Sequence, residues 1–251
     1  MKEFDEFIGI VRRLRNECPW DSVQTHQTLR PHIIEEAYEV SDSIERNDIQ
    51  ELKTELGDLL LHVALHSVIA EETKTFSLQN VVESISEKMI RRHPHIFGNT
   101  IINSAEEQLI NWEKIKMTEG RNSVLDGIPK NLPALMKAEK VQKKAAKVGF
   151  DWTDKKDVWN KVEEELEEFK HAERGKNIEE TTEEFGDLLF ALVNYARFLQ
   201  IDAESALQAT TKKFTERFHH IEKRMKETNK DIHNATLEEM DVFWNEAKRI
   251  K

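Results

Sequence analysis

Glu35-Glu36-Ala37-Tyr38-Glu39, then fifteen residues, then Glu55-Leu56-Gly57-Asp58-Leu59-Leu60 is the stretch on which the reading of this chain turns, because it occurs twice. The second copy is Glu164-Glu165-Leu166-Glu167-Glu168, the same interval, and Glu184-Phe185-Gly186-Asp187-Leu188-Leu189. The offset between copies is 129 throughout, and ten of the twenty-six aligned positions from Glu35 to Leu60 are identical. Acidic residues held in two fixed sets, each beside apolar positions, suggest a cation site.

On a helical wheel at about 100° per residue, Trp159, Val162, Leu166 and Phe169 form one apolar stripe. Lys161, Glu165 and Glu168 share a flank of that stripe, with Glu164 just beyond, while Glu163 and Glu167 fall on the other, solvated flank. In the next helix Phe185, Leu188 and Leu192 define the stripe, and Glu180, Glu184 and Asp187 lie together, with Glu183 further out. Antiparallel neighbours joined by a short turn bring the two acidic flanks close. The first copy repeats this with Ile33, Ala37 and Val40 beside Glu36 and Glu39, then Glu55 and Asp58. Four converging carboxylates repel one another unless a cation sits among them. All-oxygen ligation suits a hard divalent ion, Mg2+ or Mn2+. A Glu-rich helix is also what a solvated face looks like. The identical interval and the duplication favour the metal reading.

Working outward, the composition fits helices: 34% charged, 38% hydrophobic, and only 8 Gly and 5 Pro in 251 residues. A net charge of -11 argues against nucleic acid or an anionic membrane as partner. Cys18 is the only cysteine, so no intrachain disulfide forms. The first fifteen residues lack a signal-peptide core. The longest apolar run, Leu56 to Ala70, is broken by Asp58, His62, His66 and Ser67, so no transmembrane helix is expected. A soluble cytoplasmic protein is the expectation.

Apolar periodicity predicts helices over about 3–16, Pro31 to Arg46, 49–71, 78–92 and 105–118. Residues 120–132 read as a linker between an N-terminal domain, 1–119, and a C-terminal domain, 133–251. Helices then recur at about 133–148, 155–173, 178–200, 203–228 and 237–250, with Gly175 as a C-cap glycine. The repeat extends further: Lys88 and Arg92 match Lys213 and Arg217, and Glu106-Glu107, Trp112 and Lys116 match Glu238-Glu239, Trp244 and Lys248. The fold class is all-α, two tandem helical bundles.

Lys213 and Arg217 share a helix face, a cationic pair such as a polyphosphate needs beside a metal. Trp244 with Lys248 could stack on a base and touch a phosphate, or be core. His62 and His66 read as satisfied core or interface histidines, and His93-Pro94-His95 as a helix end. Gly57 and Gly186 each cost helix propensity of about 1 kcal/mol, which close packing of a neighbouring helix or access for a ligand would explain.

Glu-Glu-x-x-Glu followed by Glu-x-x-Asp on consecutive helices resembles the all-α nucleoside triphosphate pyrophosphohydrolases. The tandem copies, with Cys18-Pro19-Trp20-Asp21 and Gly149-Phe150-Asp151-Trp152, resemble the two-domain MazG proteins over nearly the whole chain. That resemblance implies hydrolysis of an NTP to NMP and diphosphate with Mg2+, or Mn2+ in its place, for nucleotide house-cleaning or pool control. It implies metal ligands at Glu165, Glu168, Glu184 and Asp187. It implies nucleotide contacts at Lys161, Glu164, Glu183, Asp187, Lys213, Arg217, Trp244 and Lys248, and a homodimer. Lys161, Glu164 and Glu165 are then the candidate catalytic residues, Glu164 as the group that positions water. The family's C-terminal unit is usually the catalytic one. Here His32 stands where the second unit has Lys161, while Glu36, Glu39, Glu55 and Asp58 remain as a possible second metal site. Two other readings stay open: a non-enzymatic helical adaptor, and a di-iron carboxylate protein using Glu168-x-x-His171 and Glu216-x-x-His219. The wheel points those histidines away from their apolar stripes.

Overall fold

The computed structural model describes residues 2–120 and 122–250; Met1, Arg121 and Lys251 lie outside it, as do the side chains of Ala105, Glu106 and Glu113. Glu106, one of the repeat's matched residues, is therefore outside the described side chains. All regular elements among the described residues are helices. They form two compact units, residues 1–108 and 109–251.

The first unit holds α1 (Lys2–Glu17), a 3-10 turn (Asp21–Val23), α2 (His26–Glu45), α3 (Ile49–Glu72), α4 (Leu78–Arg92) and the single turn α5 (Pro94–Phe97). α2 starts five residues earlier than the proline signal predicts. Thr25 and Thr28 form a reciprocal capping box, satisfying amide donors that a bare helix start leaves open, and Pro31 lies inside the helix. The core joins Ile8 and Val11 of α1, Leu29 of α2, and Ala64, Leu65, Val68 and Ile69 of α3. Burying each of the larger side chains contributes about 1.5–3 kcal/mol. Arg15 ties α1 to the end of α3 through Glu72 at 2.7 Å.

α6 (Ala105–Thr118) spans the division between the units. The second unit continues with α7 (Ala134–Ala146), α8 (Lys155–Gly175), α9 (Ile178–Phe198), α10 (Ala203–Glu227), a 3-10 turn (Ile232–Asn234) and α11 (Leu237–Ala247). Part of the stretch read as a linker is held to α7, because Lys144 Nζ donates to the carbonyls of Val124 at 2.7 Å and Asp126 at 2.9 Å. Val158, Val162, Ala172, Ala191, Val193, Ile221 and Met225 are buried.

In each unit the duplicated stretch is a helical hairpin, α2–α3 and α8–α9. The turn of each uses one left-handed residue, Asn47 (φ 54) and Lys176 (φ 57), at matching positions of the repeat. Asp48 and Asn177 then cap the following helix. Gly175 is the last helical residue of α8, and the left-handed position expected of it belongs to Lys176. This tight reversal is what sets the acidic flanks of the two helices against each other.

The apolar stripes are only half used within the chain. Val158 and Val162 are buried, yet Trp159, Phe185 and Leu192 are exposed. In the first unit Leu56, Leu60 and Val63 are exposed at the positions matching Phe185, Leu189 and Leu192.

Candidate active site

In the second unit Glu165, Glu184 and Asp187 each offer an oxygen within 4.8 Å of the others, as do Glu164, Glu165 and Glu168. Glu165 belongs to both groups and is only 7% exposed. Lys161 Nζ lies 2.7 Å from Glu164 Oε1 and 2.6 Å from Glu165 Oε1. Its hydrogen bonds to Glu164 and then Glu165 hold the ammonium well above its usual pKa. Burial raises the pKa of Glu184, and the charges of Glu168, Asp187 and Glu165 raise it further.

The first unit assembles the corresponding set, Glu36, Glu55 and Asp58, within 4.8 Å. Glu36 and Glu55 are both raised, by burial first and then by carboxylates including Glu39. Each group is thus a set of like charges held partly out of water, costly unless a cation joins it. The donors are all oxygen, and the set fits a hard divalent ion.

A cavity of about 240 Å³ opens on the second unit's carboxylates. Lys161, Glu165 and Asp187 form part of its wall, and Phe150, Trp152, Phe190 and Val141 supply apolar surface. Gln142, Asn194 and Arg197 line it as well. Arg197 donates to both oxygens of Asp151, at 2.9 and 2.5 Å, and to Asn194 Oδ1 at 2.9 Å. That fork fastens the 149–152 loop to α9. Gln142 Nε2 donates to the Phe190 carbonyl at 2.8 Å. Sequence reasoning missed Gln142, Asn194 and Arg197. The one signal was Gly149-Phe150-Asp151-Trp152, which marked the loop without showing what it closes.

Arg217 and Lys248 both lie over the Trp244 ring, 5.4 and 5.8 Å from its centroid, and Phe214 flanks the ring at 5.1 Å. Lys213 is exposed on the same helix, α10. Among the described residues no hydrogen bond or ion pair joins these cations to the carboxylate cage. Glu183 is exposed beside the cage. His171, Glu216 and His219 are exposed, and none joins a metal-competent group among the described residues, which removes the di-iron reading.

Duplicated helical hairpins carrying Glu-x-x-Glu on one helix and Glu-x-x-Asp on the next define an all-α nucleotide pyrophosphohydrolase architecture. The MazG nucleotide pyrophosphohydrolase domain matches this chain twice, over residues 24–97 and 154–222, and the chain belongs to that family. It is 41% identical over 250 residues to a Thermotoga maritima nucleoside triphosphate pyrophosphohydrolase/pyrophosphatase MazG, covering 98% of this chain and 95% of that one. It is 42% identical over 258 residues to the Escherichia coli nucleoside triphosphate pyrophosphohydrolase, covering 99% and 98%. It is 48% identical to an uncharacterized Bacillus subtilis protein, YabN, covering 99% of this chain and 52% of that one.

Proposed function

We propose that this pyrophosphohydrolase-family chain cleaves nucleoside triphosphates to NMP and diphosphate at the second unit's carboxylate cage, with the nucleobase in the adjoining cavity. The observation that carries the reading is the shared wall: Lys161, Glu165 and Asp187 face both the cage and the cavity. The names of its full-length relatives support the reaction class.

Glu165, Glu168, Glu184 and Asp187 would hold Mg2+, or Mn2+. When bound, such an ion supplies positive charge to the phosphate oxygens and lowers the pKa of bound water. The chain's own residues do the rest. Glu164 accepts a hydrogen bond from the attacking water and aims it at the α-phosphorus. Lys161 stays protonated throughout the working range and, on exchanging a carboxylate for a phosphate oxygen, neutralises charge there. Lys213 and Arg217 stabilise the departing diphosphate, and Trp244 and Lys248 complete the nucleotide contacts. Phe150, Trp152 and Phe190 pack on the base and exclude water.

The second unit is the catalytic one in this reading. Lys161, Ala191, Asn194 and Arg197 have His32, His62, Leu65 and Val68 at the matching positions of the first unit, so the anion partner and the pocket lining are both replaced there. The exposed stripes of α3 and α9 support a homodimer that covers them. Among the described residues no helix is long and apolar enough to cross a membrane.

Turnover of mixed NTPs in heavy-oxygen water tests the reaction. NMP carrying the label, with unlabelled diphosphate, is the expected result. Label in diphosphate, or NDP with orthophosphate as products, contradicts attack at the α-phosphorus. No turnover with either Mg2+ or Mn2+ returns the chain to the adaptor reading.

A further inference from the structure

α11 carries Trp244 and Lys248, and little apolar packing holds it in place. It packs on α10, none of its residues is fully buried, and a cavity of about 230 Å³ separates the facing side chains Phe214, Phe218, Ile221, Leu237, Met240 and Trp244. An unfilled apolar seam forfeits the contacts that would fix one helix on another. The reversal that leads into α11 turns on one left-handed residue, Asn229 (φ 54). Ionic ties remain. Lys230 pairs with Glu239 near the start of α11. Near its end Arg224 of α10 reaches across, its Nε 3.3 Å from each oxygen of Glu246. The same guanidinium lies 5.3 Å over the Phe243 ring and donates to Glu227 at 2.7 Å, which fixes its direction on α10.

We infer that Arg224 and Glu246 are positioning residues: their ion pair seats α11 so that Trp244 and Lys248 meet the nucleotide. Arg217 and Arg224 are seven residues apart, two turns along one face of α10. Each caps an aromatic ring of α11, Arg217 over Trp244 at 5.4 Å and Arg224 over Phe243 at 5.3 Å. Their tasks differ. Arg217 is left to move onto a phosphate, while Arg224, held by Glu227 and Glu246, keeps α11 in register when Arg217 leaves Trp244. The first unit keeps Trp112 and Lys116 at the positions of Trp244 and Lys248, yet has Lys114 where the second has Glu246. The charge at that position is reversed, so the seat belongs to the second unit alone. This inference rests on the proposed contact of Trp244 with the nucleotide.

Steady-state hydrolysis of ATP with Mg2+ by the full chain tests it. Arg224→Met and Glu246→Gln should each raise KM by about fivefold, the scale of a half-exposed ion pair, with kcat unchanged, because the seat serves binding and not the chemical step. The double variant should be no worse than either single one, since both remove the same contact. Arg224→Lys, which keeps the charge, should recover part of the lost affinity. With Trp244→Ala, KM should rise, and adding Arg224→Met should raise it no further. A lowered melting temperature with unchanged KM in both single variants means a purely structural pair and overturns the inference, as do additive effects in the double variant. If Arg224→Met does not fold, Glu246→Gln decides alone. Unchanged KM in Trp244→Ala contradicts the nucleotide contact itself and overturns the inference with it. Raised KM in Trp244→Ala beside unchanged KM in Glu246→Gln overturns only the positioning role.

Discussion

At the scale of single residues, the cage is a set of carboxylates whose mutual repulsion is the signal of what it holds. Glu184 has its pKa raised above 4.5 by burial, then by its acidic neighbours. A carboxyl group raised on folding contributes stability that is present at low pH and lost as pH rises through its folded value. Bound cation removes that loss. The rise in melting temperature on adding Mg2+ should therefore grow as pH climbs above the ordinary carboxylate value, measured by paired melts with and without the ion; a constant rise contradicts it. Gly186, directly before Asp187, gives a second case. An added Cβ there, or at Gly57, would meet nothing within 4 Å, so close packing of a neighbouring helix within the chain does not explain either glycine. Gly186→Ala should raise stability by about 0.5–1 kcal/mol while lowering kcat/KM, read from denaturant melts and steady-state kinetics. Unchanged kinetics would show that the open side serves no ligand. The carboxylates were legible in the sequence because helical spacing alone puts them on one flank. Gln142, Asn194 and Arg197 were not, because they meet only when α7, the 149–152 loop and α9 pack together. His62 was read as a satisfied core or interface histidine, yet its buried Nδ1 has no hydrogen-bond partner, because periodicity reports burial and says nothing of such partners.

At the scale of elements, the α8–α9 hairpin and the loop pinned to it make the pocket. The helices were legible from apolar period and caps, with errors where the local chemistry departs from the commonest signal. The start of α2 escaped because a Thr25–Thr28 pair replaces the usual Glu or Gln partner and Pro31 offered a competing start. The turn of α8 escaped because Lys176 adopts the left-handed conformation with a glycine directly before it. The Arg197–Asp151 fork has a clear consequence. Arg197→Met should cost about 1–3 kcal/mol from the lost charged hydrogen bonds. It should raise KM for the nucleotide through a loosened Trp152 while Mg2+ binding by calorimetry stays the same. Loss of Mg2+ binding instead would mean the loop supports the cage and not the pocket.

At the scale of the whole molecule, the duplication was legible from the constant offset, and the class of fold followed from it. What the sequence could not show is which apolar stripes the chain covers by itself. Phe185 is 48% exposed, although the wheel placed it on the apolar stripe, and its match in the first unit, Leu56, is 52% exposed. Burial patterns look the same in sequence whether the covering surface comes from one chain or from two. A homodimer should run at twice 29.4 kDa in light scattering, and Phe185→Asp should shift it toward monomer; a monomeric parent protein contradicts the pairing. The division of labour between the two units is tested most directly by measuring diphosphate release from NTPs and Mg2+ for Glu165→Gln and Glu36→Gln side by side. Release should fall by at least about 100-fold in Glu165→Gln and stay near the parent rate in Glu36→Gln. Loss of activity only in Glu36→Gln would place catalysis in the first unit and contradict this account.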